Sequence, residues 1–372
     1  MTSTDHDVRR STPDGFDRRL TLPLVLGSVL NPINSTMLAV ALVPIGAAFG
    51  EPPSRTAWLV SALYLTTAVG QPVVGRLVDL FGPRRLYLAA TALVGVAGLM
   101  GAFAQSLDWL VVSRVLLGLG TCSAFPAAMF LLRSEAVRTG QDAPTSVLTL
   151  LSVGNQTIAV IGPTLGGLLV GLGGWRLIFT VNVPLSIACL ALGALRLPRR
   201  TPVLAGEPVA SVSDLDLPGI VLFGGALLSL MGFLMLPAVD HLWFLAVAVG
   251  AAVLLVVREL RARTPFIDLR VLGGNRPLVA TYVRQALAGV VMYAFLYGFV
   301  QWLEDGRHLS ASHAGLLLLP MSATAVVVSL VVGRRPQLWA KVVVGSVALV
   351  VATSGLLRTD GGSPIWWLAV LT

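Results

Sequence analysis

Runs of about twenty apolar residues recur along nearly the whole chain, separated by short polar segments that gather arginine, glycine and proline. Each run matches the roughly 20 residues a helix needs to cross a bilayer core. A stretch such as Leu110 to Leu132 is apolar on nearly every side, whereas a membrane strand alternates with period two, so helices are the spanning structure. The pattern predicts six spans near Leu20 to Phe49, Ala57 to Leu80, Leu86 to Ala104, Trp109 to Leu132, Ser146 to Leu172 and Leu177 to Leu195. Further spans lie near Leu217 to Val239, Leu242 to Val257, Leu278 to Leu303, Ala314 to Val332 and Leu338 to Leu357. The stretch Pro364 to Thr372 is a partial twelfth, too short to cross, and it reads as the start of an incomplete last region. The expectation is an all-α polytopic membrane protein of about eleven spans.

Composition agrees. Of 372 residues, 55% are hydrophobic and 12% charged, against roughly 45–50% and about 25% in soluble domains. That balance excludes a water-soluble fold, and 38 Gly and 22 Pro scattered through apolar runs exclude collagen-like and disordered chains. The net charge of +8 is a topology signal. With the amino terminus inside, Arg133, Arg138, Arg196, Arg199, Arg200 and the cluster from Arg258 to Arg276 fall in inner loops. The outer loops hold only Arg55, Arg176, Arg307 and Arg358. The positive-inside rule therefore predicts a multi-pass protein of the cell (inner or plasma) membrane with a cytoplasmic amino terminus.

These bases form no continuous stripe for a phosphate backbone, so the expected partner is the lipid bilayer and not nucleic acid. The tail carries Asp5, Asp7, Asp14 and Asp17, too acidic for a signal n-region. Cys122 and Cys189 lie inside spans and read as small core residues. His6, His241, His308 and His313 form no cluster of metal spacing, and no phosphate-binding loop with a Lys-Ser/Thr ending appears. No enzyme, metal or cofactor site is expected.

Three motifs carry chemistry. At the end of the second span, the run from Gly75 through Asp79 and Gly82 to Arg84 and Arg85 combines a small residue, one carboxylate, a turn glycine and two cations. Such a cluster can hold one conformation and release another; the plainer alternative is that Arg84 and Arg85 only set topology. In the fourth span Arg114 precedes Gly118 and Gly120, and a cation at membrane depth faces a cavity or a partner. Substrate or proton handling and a structural hydrogen-bonding role both remain open for it. The fifth span contains Gly162-Pro163-Thr164-Leu165-Gly166-Gly167, either a hinge against neighbouring helices or simply a site of close packing.

Together with Trp175-Arg176 leading to Asn182 and Pro184, Pro265 to Arg270, and Ala314-Gly315 followed by Leu319-Pro320, these motifs resemble the major facilitator superfamily. Within it they are similar to the fourteen-helix drug:proton antiporter branch. The resemblance runs from about Leu20 to the end. It implies a two-bundle transporter with an inserted helix pair: a cytoplasmic tail (1–19), a six-helix bundle (20–196), a cytoplasmic linker (197–216), the inserted pair (217–257), a cytoplasmic loop (258–277) and an incomplete second bundle (278–372). The implied mechanism is alternating access around a central cavity, with Gly75, Asp79, Gly82, Arg84 and Arg85 as conformational gate and Gly162, Pro163, Gly166 and Gly167 as hinge. By this count the helix that should partner Asp79 lies beyond the residues present.

The candidate cavity residues are Asn34, Arg114, Arg284, Tyr293 and Tyr297. None of the 18 acidic residues falls clearly near the middle of a span. Asn34 stands where related antiporters carry an aspartate, which places proton coupling by that position in question. Arg114 and Arg284 without a compensating carboxylate favour neutral or anionic amphipaths over lipophilic cations. Tyr293 and Tyr297 share a helix face and suit loosely specific apolar ligands, or else fill helix contacts.

The reading is an exporter of small amphipathic molecules, antiporting protons. Alternatives are a dedicated metabolite exporter without proton exchange and an inactive truncated remnant. The charge map makes its own prediction: a fluorescent reporter fused before Leu20 is active in the cytoplasm, and a membrane-impermeant thiol reagent added to whole cells labels a cysteine at Arg55 but not one at Arg196. The reverse labelling would invert the topology.

Overall fold

The structure, a computed structural model, describes residues 18–139, 145–198, 216–262, 265–267, 269–332 and 338–356. Among these, every regular element is a helix. The Pro364 to Thr372 stretch, most of the tail and most of the linker after Arg196 lie outside the described residues. Among the described residues, nine helical spans are long and apolar enough to cross a membrane.

The expected first span is not one rod. It divides into α1 (Thr21–Thr36), a tighter 3-10 turn (Met37–Val40) and α2 (Leu42–Phe49). Next come α3 (Pro53–Phe81) and α4 (Pro83–Ala102), each opened by a proline in its first turn, where the missing N–H costs nothing. Gly82 joins them at φ 81°, a left-handed backbone that favours glycine. The fourth span is also interrupted, as α5 (Leu107–Thr121) and α6 (Ala124–Thr139); Ser106 caps α5 by accepting from the Trp109 amide at 3.3 Å. Then follow α7 (Thr145–Gly173), the short α8 (Arg176–Thr180) and α9 (Asn182–Arg196).

The second half begins with the hairpin α10 (Leu217–Met235) and α11 (Leu242–Glu259). It continues with α12 (Leu269–Gly274) and α13 (Arg276–Ala294), which is extended by π-helical turns at Phe295–Phe299 and Trp302–Gly306. The tenth span is broken at Leu318 into α14 (Ala311–Leu317) and α15 (Leu319–Val332), and α16 (Leu338–Leu356) follows.

One apolar core joins α1 through α9, with Leu24, Leu38, Leu63, Leu110, Leu117 and Phe179 fully enclosed. The hairpin α10/α11 packs against α3, where Gly224 approaches Val69. A smaller cluster of Val40, Val300, Ala311 and Leu318 fastens the Phe295 end of the long ninth span, and α14, to the broken first span.

Small residues set the closest approaches, as expected where lipid supplies no hydrophobic drive between helices. A Cβ on Gly166 of α7 would stand 2.5 Å from the Met37 carbonyl oxygen and 2.9 Å from its Cα. A Cβ on Gly167 would lie 2.5 Å from the Ala311 carbonyl oxygen. Backbone here touches backbone on two sides. Gly75, by contrast, has nothing within 4 Å of its Cβ position. Gly166→Ala should therefore destabilise detergent-purified protein by about 1–3 kcal/mol, read as a lowered thermal unfolding midpoint, while Gly75→Ala leaves the midpoint unchanged. Equal shifts for the two would contradict the packing.

Candidate functional site

The break in the first span organises the site. Pro32 sits inside α1, and the Ser35 and Thr36 hydroxyls both bond back to its carbonyl, at 3.0 and 2.7 Å. Such local bonds compete with regular helix, and α1 ends at Thr36. The last turn of a helix leaves carbonyls in need of donors. Here they come from other helices. Arg114 of α5 donates from Nη2 to the Asn34 carbonyl at 3.0 Å and from Nε to the Leu59 carbonyl of α3 at 3.1 Å. Tyr297 donates its hydroxyl to the Ser35 carbonyl at 2.9 Å.

Arg114 is wholly buried, at 0% exposure, and among the described residues no carboxylate forms an ion pair with it. Its Nη1 and the Asn34 Oδ1 have no protein partner. The Asn34 amide nitrogen donates to the Leu30 carbonyl at 2.9 Å and to Asn182 Oδ1 at 2.6 Å. Asn182 is anchored in turn by the Ile178 and Phe179 carbonyls. Gly98 lets it approach, since a Cβ there would lie 2.7 Å from that of Asn182. Deeper in α1, Asn31 donates to Thr121 at 3.0 Å.

Aromatic rings enclose the other side. Tyr293 and Tyr297 stack with centroids 6.2 Å apart and an interplanar angle of 19°. Tyr64 of α3 meets Tyr293 edge-on at 5.2 Å. Arg114 lies within electrostatic reach of Tyr64 and Tyr297. The cluster thus combines a buried cation, an amide with a free acceptor, and phenols whose faces offer apolar area and whose tips offer hydrogen bonds. It can anchor one polar or anionic group while aromatic surface accommodates an apolar body.

Of the sequence candidates, Asn34, Arg114, Tyr293 and Tyr297 come together. Arg284 does not join them. It is exposed on α13 and lines a separate groove of about 770 Å³ with Arg276, Leu287, Val291 and Ser346 of α16. In the gate motif, Arg84 donates to the Ala194 carbonyl at the end of α9 at 3.0 Å, and Arg85 is exposed. The Asp79 side chain lies outside the described residues. Gly162, Gly166 and Gly167 press on the first-span break and on α14, and Pro163 lies within α7 at the same level.

Sequence reasoning missed Tyr64 and did not single out Asn182. It also did not show that Glu304, at an outer span end, is buried to 6% exposure with Oε1 unpartnered. The available signals were a tyrosine in an apolar run and an asparagine inside the Trp175 to Pro184 motif.

The chain belongs to the Major Facilitator Superfamily, whose family profile matches residues 24–372. It is 35% identical over 309 residues to the uncharacterized MFS-type transporter YwoD of Bacillus subtilis (strain 168), covering 83% of this chain and 67% of that protein. It is 30% identical over 363 residues to the tetracenomycin C resistance and export protein of Streptomyces glaucescens, covering 94% and 66%. It is likewise 30% identical over 318 residues to the lincomycin resistance protein of Streptomyces lincolnensis, covering 83% and 63%. The chain spans about two thirds of the length of these relatives.

Arg114→Met removes the donors of two buried carbonyls, at about 1–3 kcal/mol each, and should sharply lower both transport and thermal stability. Tyr297→Phe removes one neutral bond of about 1 kcal/mol and should weaken transport roughly fivefold with a much smaller loss of stability. A Tyr297→Phe variant as damaged as Arg114→Met would show that the phenol does more than hold Ser35.

Proposed function

We propose that the chain exports small amphipathic molecules from the cytoplasm by alternating access in antiport with protons, its amino terminus on the cytoplasmic side. What supports this most is the buried Arg114, which among the described residues has no carboxylate partner and an unpartnered Nη1, gathered in one cluster with Asn34 and the tyrosine rings. Two related chains are named for antibiotic resistance, and one of them also for export. A cation in low dielectric attracts an anion or a strong hydrogen-bond acceptor and repels lipophilic cations. The substrate class is accordingly neutral or anionic, with an apolar body.

A specific observation favours a second reading, export without proton exchange. Asn34 is an amide whose nitrogen is held by the Leu30 carbonyl and Asn182, and it cannot carry a proton. Collapsing the pH gradient across inside-out vesicles separates the two: antiport stops, whereas proton-independent export continues while the substrate gradient is held.

The expected substrate preference is an anionic fluorescent dye over a cationic one of equal size by about tenfold, the equivalent of about 1.4 kcal/mol. Arg114→Ala should erase that preference, and Asn34→Asp should shift it toward the cation. A cationic preference that survives Arg114→Ala would overturn the reading.

A further inference from the structure

The ends of the α10/α11 hairpin hold a buried charge cluster outside the site described above. Asp216 caps α10 through Oδ1, which accepts from the Gly219 amide at 3.0 Å and from Arg258 Nε at 3.1 Å. Its side chain is 3% exposed. Glu259, the last residue of α11, is 1% exposed, and its Oε2 accepts from the Ile267 amide at 2.8 Å. The remaining oxygens, Asp216 Oδ2 and Glu259 Oε1, meet no donor among the described residues. Both crowd one point, lying 2.5 and 2.6 Å from where a Cβ on Gly219 would stand, so the two buried carboxyls face one another.

Two ionised carboxylates are acceptors only, so no hydrogen bond can join oxygens brought this close unless a proton lies between them. Charge counting agrees. Among the described residues, the charged group facing the pair is Arg258 of α11, one positive charge against two negative; α10 contributes the Gly219 amide, and the segment before α12 contributes backbone at Phe266 and Ile267. Arg261 is exposed, and Arg270 donates to the Leu260 carbonyl. Burial works against charge on Asp216, but the bonds from Arg258 and Gly219 outweigh it and hold its carboxyl below the ordinary range.

We propose that Asp216 and Glu259 form a proton-binding site. One proton is shared between their facing oxygens, neutralising the charge Arg258 leaves over and latching the hairpin, through the Ile267 amide, to the segment leading into α12. Phe266 extends the latch by packing on Phe223 of α10, ring centroids 5.5 Å apart. A second buried negative charge repels the first, so the latch holds while the shared proton is bound and loosens as pH rises and removes it.

The test uses the full chain in liposomes. Infrared difference spectra should show a protonated carboxylic acid near neutral pH, shifted in deuterium oxide and absent in Glu259→Gln. In parallel, Pro265→Cys should be labelled about tenfold faster at about pH 9 than at about pH 6, after correction for the reagent's rate on an unfolded peptide. With Glu259→Gln added, labelling should be slow and independent of pH. If that variant fails to fold, the deuterium shift and the labelling profile of the otherwise native chain decide. The proposal is overturned if the acid band survives Glu259→Gln, if no such band exists, or if labelling follows sodium or potassium concentration instead of pH.

Discussion

A helix that ends in the middle of a membrane must find donors for its last carbonyls inside the protein, because hydrocarbon offers none. In this chain that obligation falls on Asn34 and Ser35, and Arg114 and Tyr297 meet it. The first span can break only because α5 delivers a cation to the gap and α7 brings a glycine face close enough to exclude lipid. Remove the break, and neither the arginine nor the glycines have a reason to be where they are.

Arginine suits this position better than lysine. Its planar fork reaches carbonyls on two helices at once, Leu59 of α3 and Asn34 of α1, and keeps a further N–H directed elsewhere. A compact ammonium on a flexible stem would satisfy fewer acceptors at the same depth. The structural role of Arg114 and the binding role proposed for it are therefore one arrangement: bonds to α1 and α3 fix the guanidinium plane, and a fixed plane presents Nη1 in one direction. A site held by packing and hydrogen bonds keeps its geometry as ligands come and go.

The helical spans were legible because a bilayer imposes one length and one polarity on every crossing; α7, α11 and α16 begin and end within two residues of where the apolar runs do. Interruptions were not, because lipid-facing and core-facing residues are equally apolar. Leu38 to Leu42 reads as continuous helix although it winds tightly, and Pro32 with Ser35 and Thr36 was the available sign. Arg114 stood out because a cation in hydrocarbon demands an explanation. Arg284 stood out for the same reason, yet faces a different groove. Charge in a span marks that a residue needs company without saying which helix supplies it. Tyr64 drew no attention because tyrosine is unremarkable in a membrane sequence, and only the tertiary fold brings it to Tyr293.

The same inventory bears on how such a protein can move. Arg114 joins α1, α3 and α5, all within the first half. Among the described residues, the polar contacts between the halves are of another kind: Tyr297 to Ser35, Thr164 to the Gly315 carbonyl at 2.8 Å, Ser312 to the Gly167 carbonyl at 3.0 Å and Ser322 to the Val160 carbonyl at 2.7 Å. Each is a neutral hydroxyl meeting a carbonyl, with a net worth of about 1 kcal/mol. A set of such bonds amounts to a few kcal/mol, within the roughly 5.5 kcal/mol that differential ligand binding must supply to invert a two-state population. Charged bonds at the same places would lock the halves together. Confining the wholly buried Arg114 to a single half, and joining the halves through small residues and hydroxyls, is the arrangement the proposed alternating access requires.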